Sequence, residues 1–409
     1  MSFDPASNIQ DYLVFGEFGD VNPSITDSST FTFMSQEKME ELFDHEIEGC
    51  FLYSRHWNPI NKELSDALAR LENSELAQVT ASGMAAISTT IFQICSAGDE
   101  IISSHTIYGG TYAFFKNFLP RLGIKVNFVN MNNPEEVEKA VTKNTKVIYC
   151  ESVSNPLLEI ADIPTLSKIA KSNKIKLVVD NTFSPMIISP LELGADVVVH
   201  SLTKFINGTS DCVAGCVCSS SDFIHDLIDI NSGASMLLGP VLDSYRAASI
   251  LKNLHSLHIR IQKHSENGMF IAKKLQEIGV KVFYPGLESH PHHEKINKLR
   301  NPDYGYGGML AFDLGTSEKA GKLMMRMQEE KVGYLAVSLG YFKTLFSAPG
   351  HSTSSEIPED EQKKIGISDG LVRMSVGLDH NIQRSFNKIK MCLEEVGYPE
   401  NKEVAKKIK

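Results

Sequence analysis

No stretch of about 18 uninterrupted apolar residues occurs in this 409-residue chain, so no segment reads as a membrane-spanning helix. No basic block is present either. Forty Lys and Arg stand against fifty Asp and Glu, a formal charge of −10, the wrong balance for a protein that neutralises nucleic-acid phosphates. Met1 to Val14 lack the basic start of a secretory signal. Seven scattered cysteines, an odd count, do not read as a disulfide framework and point to reduced thiols in a cytoplasmic protein. G-x-G-x-x-G is absent, which removes the dinucleotide fingerprint. What is present is an ordinary globular composition, 42% hydrophobic and 22% charged. The chain is also longer than one hydrophobic core usually fills.

Short β-branched runs alternate with helix-period segments from about residue 58 to 220. The spacing of Leu64, Ala67, Leu68 and Leu71 predicts a helix over 61–72, and helices follow at 82–95, 134–141 and 163–171. Strands are expected at 77–81, 100–104, 125–129, 147–151, 177–180, 197–200 and 213–218. Several are apolar throughout, as strands buried on both faces should be. The fold class is therefore α/β, with a mostly parallel central sheet and helices on both faces. Beyond residue 250 the rhythm changes. One long helix over 243–278, strands at 282–284, 309–314, 334–338 and 371–376, and helices at 318–329 and 381–396 predict a smaller α+β domain. The expected division is an extended arm at 1–57, a ligand-binding domain at 58–250 and a C-terminal domain at 251–409.

Ligands of open parallel sheets bind outside the carboxyl ends of the strands. Those ends carry Glu151, Asp180 and the group Ser201, Thr203 and Lys204. Ser82-Gly83-Met84 opens a helix directly after a strand, where free N–H groups and a glycine suit a phosphate. A phosphate cradle, an Asp and a Lys on one sheet edge suit pyridoxal phosphate. The lysine amine can condense with its aldehyde, and the carboxylate can keep its pyridine nitrogen protonated.

The order of motifs resembles the cystathionine/methionine-metabolism (trans-sulfuration) family of fold-type I pyridoxal-phosphate enzymes, along almost the whole chain. The resemblance is carried by Tyr53-Ser54-Arg55 with Asn58-Pro59, Ser82-Gly83-Met84, Tyr108-Gly109-Gly110-Thr111 and Glu151-Ser152 with Asn155-Pro156. It continues through Asp180-Asn181-Thr182, Ser201-Leu202-Thr203-Lys204, Ala336-Val337-Ser338-Leu339-Gly340 and Gly366-Ile367-Ser368 to Arg373. Phe15-Gly16-Glu17, the run Asp303 to Gly308 and Ser352 to Glu356 resemble the plant-type methionine γ-lyases within it.

This resemblance implies a carbon–sulfur lyase in which Lys204 carries the cofactor and shuttles protons. Asp180 pairs with the ring nitrogen. Tyr108 stacks over the ring and protonates the departing thiolate, while Gly83, Met84, Ser201 and Thr203 bind the phosphate. Arg373 and Ser338 clamp the substrate carboxylate, and Asn155 contacts the same end or the ring oxygen. It also implies that Tyr53 and Arg55 reach the phosphate of a neighbouring subunit, in a homodimer with shared sites commonly paired into a tetramer. The partner is a small amino-acid substrate, with no nucleic acid and no membrane. Methionine and homocysteine elimination is favoured by Val337, where family members that cleave cystathionine commonly carry Glu. Against it, bacterial methionine lyases often carry Cys where this chain has Gly110. Cystathionine γ-synthase, O-acylhomoserine sulfhydrylase and cystathionine γ-lyase activities stay open on that ground.

Bland readings accompany the rest. Ser201-x-x-Lys204 matches the motif of serine acyl enzymes, but the companion S-D-N and K-T-G elements are missing. Cys212, Cys216 and Cys218 on one strand face are expected to be packing thiols rather than a metal site. His290, His292 and His293 are expected in a solvated loop.

Overall fold

The computed structural model describes residues 3–398 except 15, 17–18, 45–48, 353–356, 359, 361 and 363–365. The first sheet comprises β1 (Leu76–Thr80), β2 (Glu100–Ser104), β3 (Lys125–Val129), β4 (Thr145–Glu151), β5 (Lys176–Asp180), β6 (Val197–Ser201) and β7 (Gly215–Ser219). Their spatial order is β1-β7-β6-β5-β4-β2-β3. The neighbours from β6 to β3 are parallel, and β7 runs antiparallel to both β1 and β6. Residues 177–179 and 197–199 are buried throughout, as continuous apolar runs demand.

Local chemistry sets the helix that leads into this sheet. Asn58 accepts the Ile60 N–H at 3.2 Å, Pro59 occupies the first turn, and Asn73 closes the helix Pro59–Glu72 in the left-handed conformation. Its face of Ile60, Leu64, Leu68 and Leu71 is buried in the core on one side of the sheet. Each such side chain contributes about 1.5–3 kcal/mol.

The second sheet holds β8 (Lys281–Phe283), β9 (Met309–Asp313), β10 (Gly333–Leu335), β11 (Thr344–Ser347) and β12 (Leu371–Ser375), in the order β10-β11-β12-β9-β8. Strand β11 has no counterpart in the sequence reading. Its four residues are too short to show a period, although all are buried.

Three expectations need correction. The helix expected over 243–278 is two, Ser244–Leu254 and Leu257–Glu277. The break is held by Arg260, which donates to the Asn253 carbonyl at 2.9 Å, and by Ser256, whose hydroxyl donates to the same carbonyl at 3.1 Å. Residues expected to be an arm without helix contain Pro5–Gln10 and Gln36–Asp44 as helices. The first is capped by Asp4 and fastened by buried Tyr304, whose hydroxyl donates to the Asp4 carboxylate and accepts the Ala6 N–H. The histidine loop is only partly solvated. His290 is buried, and His292 Nδ1 accepts the Ile160 N–H at 2.8 Å. Burial pushes both rings down to about 4, so they pack as neutral groups.

Candidate active site

Ten of the twelve residues predicted for the site line one cavity of about 420 Å³: Gly83, Met84, Tyr108, Asn155, Asp180, Ser201, Thr203, Lys204, Ser338 and Arg373. Glu151 lines it as well. They come together because β4, β5 and β6 end side by side: Glu151 is in register with Asp180, and Ser201 terminates β6. Across the mouth of β1, the helix Gly83–Ile94 starts with the Ser82 hydroxyl accepting the Ala85 N–H at 3.0 Å. The N–H groups of Gly83 and Met84 therefore stand at a helix start with no intrahelical acceptor. A Cβ on Gly83 would lie 2.7 Å from the Ser201 Cβ, so glycine is what brings the helix end against the Ser201 hydroxyl.

Lys204 follows β6 in a turn, not a helix, which removes the acyl-enzyme reading of Ser201. Its Nζ donates to Ser338 Oγ at 3.0 Å. Burial pushes the ammonium down to about 8, and the positive charge of Arg373 adds to the effect. Two features place this lysine, and only the second, Gly340, falls within a motif of the sequence. Arg260 donates to the carbonyls of Phe205 and Ile206, pinning the turn from behind. Gly340 (φ +76) lies against the Lys204–Phe205 peptide so closely that a Cβ would be 2.4 Å from the Phe205 nitrogen.

Ser338, expected inside a strand, instead lies beyond the end of β10 with φ +125. Such a conformation costs energy and persists where surroundings over-determine it. Here Arg373 donates to its carbonyl at 3.3 Å while Lys204 holds its hydroxyl. Arg373, buried on β12, also donates to Asn155 Oδ1 at 3.1 Å.

The two carboxyl groups form the opposite wall. Glu151 accepts the Tyr108 N–H at 2.6 Å and the Asn155 N–H at 3.0 Å. Burial pushes Glu151 up to about 8, with the neighbouring charge of Asp180 adding. Asp180 is likewise raised by burial, against the Thr182 hydrogen bonds and the charge of His200. Asp180 Oδ1 accepts the Thr182 N–H at 2.9 Å and Oδ2 the Tyr149 hydroxyl at 3.4 Å. Behind them His200 Nε2 meets Glu72 Oε1 at 2.7 Å, and Asn181 donates to the same oxygen at 2.9 Å. Burial opposes charge on His200, yet the bond to Glu72 wins and raises it to about 9. Two carboxyls at adjacent strand ends favour a cation in the cavity that they line.

Tyr53 and Arg55 do not line this cavity. Tyr53 is exposed, and Arg55 donates to the Met236 carbonyl at 2.9 Å. The Thr203 hydroxyl, expected at a phosphate, is engaged with the Ala214 backbone as donor (3.3 Å) and acceptor (3.1 Å). Gly110 leaves space for the Tyr108 ring, since a Cβ there would sit 2.5 Å from Tyr108 Cε1. Cys216 and Cys218 are buried with sulfurs 4.0 Å apart, while Cys212 precedes the strand. No cluster of three metal-ligating side chains occurs among the described residues. No helix among them is long and apolar enough to cross a membrane. Segments 15–17 and 352–356 lie largely outside the described residues.

The sequence profile of the family described as Cys/Met metabolism PLP-dependent enzyme matches residues 11–383. The chain belongs to that family. Among relatives of this pyridoxal-phosphate family, methionine γ-lyase of Arabidopsis thaliana is 44% identical over 392 residues, covering 94% of this chain and 89% of the relative. L-methionine γ-lyase of Fusobacterium nucleatum subsp. polymorphum is 40% identical, over 93% of this chain and 95% of its own. Of the solved structures, one described as an O-acetylhomoserine (thiol)-lyase of Campylobacter jejuni has a TM-score of 0.88 at 28% identity. It covers 96% of this chain and 100% of its own, and contains N'-pyridoxyl-lysine-5'-monophosphate.

Proposed function

We propose that the enzyme catalyses the pyridoxal-phosphate-dependent α,γ-elimination of L-methionine: with water, it yields methanethiol, 2-oxobutanoate and ammonia. The observation that carries this reading is Lys204. Its amine is buried, pushed down to about 8, and shares one cavity with Asp180, Arg373 and the Gly83 helix start. Each part of the cofactor finds a matching group. The N–H groups of Gly83 and Met84 at the helix start and the Ser201 hydroxyl suit its phosphate, with Thr203 joining once its hydroxyl leaves Ala214. Asp180 suits the protonated ring nitrogen, which would supply the cation that the Asp180–Glu151 wall favours. Tyr108, which lines the same cavity, would cover the ring.

When bound, the cofactor supplies an electron sink for charge developing on the substrate's Cα and Cβ. The protein's part is proton traffic and orientation. Arg373, with Asn155 and Ser338, holds the substrate carboxylate. Lys204 Nζ, neutral in part near pH 8, takes the Cα proton and serves Cβ and Cγ in turn. Tyr108 protonates the departing thiolate. Asp180 holds the ring-nitrogen proton throughout, aided by His200 and Glu72 behind it.

Methionine is favoured over cystathionine by Val337, which lines both the cavity and the cleft outside it. Cystathionine carries a second charged head, and burying unpaired charges costs several kcal/mol. A thiomethyl group needs no such partner, and homocysteine fits the same space. Tyr53 and Arg55 are proposed to serve the cavity of a second subunit, in a dimer that pairs into a tetramer. Seven unpaired thiols, six of them buried, support a reducing cytoplasm.

The deciding assay compares methanethiol release from methionine with γ-replacement on O-acylated homoserine by a thiol. Efficient release with weak replacement is expected. Efficient replacement with negligible methanethiol would make the protein a synthase or sulfhydrylase instead.

A further inference from the structure

A second cavity, of about 460 Å³, opens beside the edge strand β10 and shares no lining residue with the site at the strand ends. The chain carries a net charge of −10, yet this cavity is lined by Lys331, Lys343, Arg384 and Lys388 against a single carboxylate, Asp379. Asp379 is already occupied. Its oxygens accept the Asn381 N–H at 2.9 Å and the Ser385 hydroxyl. Glu330, close in sequence to Lys331, pairs with Arg326 at 3.2 Å.

The four cations come from three elements and, among the described residues, lack acidic partners. Lys331 follows the helix Ser317–Glu329, Lys343 precedes β11, and Arg384 and Lys388 are one turn apart on the helix Ile382–Glu395. Among the described residues none of the four forms an ion pair. Lys388 donates to the Glu330 carbonyl. Lys343 Nζ is held by rings rather than by an acid, lying 5.4 Å from the Tyr334 centroid and 5.7 Å from that of Phe342. It also donates to the Tyr334 hydroxyl at 3.3 Å. Like charges a helical turn apart repel. Carbonyls, hydroxyls and ring faces satisfy hydrogen bonds without cancelling that charge.

We propose that this cavity is a binding site for a phosphorylated small molecule carrying at least two anionic groups. Several converging cations outmatch one carboxylate, which suits a ligand with adjacent phosphates rather than a single carboxylate ligand. The half-exposed Tyr334 and Phe342 rings at its edge could also stack on a base, so a nucleotide and a simple polyphosphate share the required chemistry.

The test uses holoenzyme saturated with pyridoxal phosphate, so that the cofactor's own phosphate cradle is filled. Inorganic pyrophosphate and, separately, ATP are titrated calorimetrically at low ionic strength, where exposed charges are least screened. Saturable binding at one site per chain is expected. Lys343→Ala with Arg384→Ala should weaken it at least about tenfold, through lost charge-assisted contacts, with the thermal midpoint unchanged. Equal affinity for the two probes identifies phosphate alone as the determinant, and tighter ATP adds the rings. Should the double variant fold poorly, Arg384→Gln alone carries the comparison. Absence of saturable binding, or binding that neither variant diminishes, overturns the site.

Discussion

The strand-end cavity and the segment bearing Tyr53 and Arg55 treat their polar groups in opposite ways. In the cavity, Arg373, Asn155 and Glu151 are buried and bonded to one another or to nearby backbone. An unmatched polar group there would cost about 1–3 kcal/mol. Tyr53 is 43% exposed, and among the described residues the Arg55 side chain donates to one carbonyl, that of Met236, which leaves other guanidinium donors for a further partner. A chain can complete what it buries. What it leaves at the surface is where a second copy can contribute, and the proposed dimer assigns Tyr53 and Arg55 that part.

The largest effect expected is at the centre of the buried region. Lys204→Ala should lower methionine turnover by at least about 10³-fold with the fold intact, checked by steady-state assay and circular dichroism. Near-wild-type turnover would mean that another group moves the protons. Asp180→Ala comes next, with about 10²–10³-fold lower kcat and a displaced visible absorption maximum of the bound cofactor. An unaltered spectrum with unaltered kcat would separate Asp180 from the ring nitrogen.

Arg55→Ala breaks the comparison from the exposed side. Loss of one charge-assisted phosphate contact should weaken cofactor affinity by about 10–100-fold, read by equilibrium titration. Mixing Arg55→Ala with Lys204→Ala subunits should then restore part of the activity, because one of the two mixed sites keeps both native residues. No recovery after verified subunit exchange would place Arg55 outside the partner's site.

The smallest effect concerns the ion pair behind Asp180. In the folded chain His200 is raised from 6.5 to about 9. Between those values the folded state holds a proton that the unfolded state has released. The stabilisation is therefore complete below pH 6.5 and fades as pH rises through 9, a change of about 3 kcal/mol at most. Denaturant titrations of wild type and His200→Gln should converge over that window. Parallel pH profiles would show that the pair is not charged.

The floor of the candidate site was legible because charged residues closing apolar runs are rare and strands end on one edge. Glu151, Asp180 and Lys204 stood out for that reason. Less legible were groups whose importance comes from contacts across long separations. Arg260 lies 55 residues from the Phe205 carbonyl that it holds, and Glu72 lies 128 from His200. Neither carries a local pattern. Thr203 lines the cavity, but its bonds to Ala214 follow from where the chain meets itself before β7.

By itself the sequence determined the alternation of elements, the helix caps and which residue types close the strands of the first sheet. Those properties depend on neighbours a few positions apart, where backbone sterics and hydrophobic period act. Only the tertiary structure decided that Ser338 leaves its strand at φ +125 and that β11 exists. It also decided that His290 packs rather than meets solvent, and that four cations line a cavity in an acidic chain. Each depends on contacts between segments distant in the chain, whose burial and charge no local window contains.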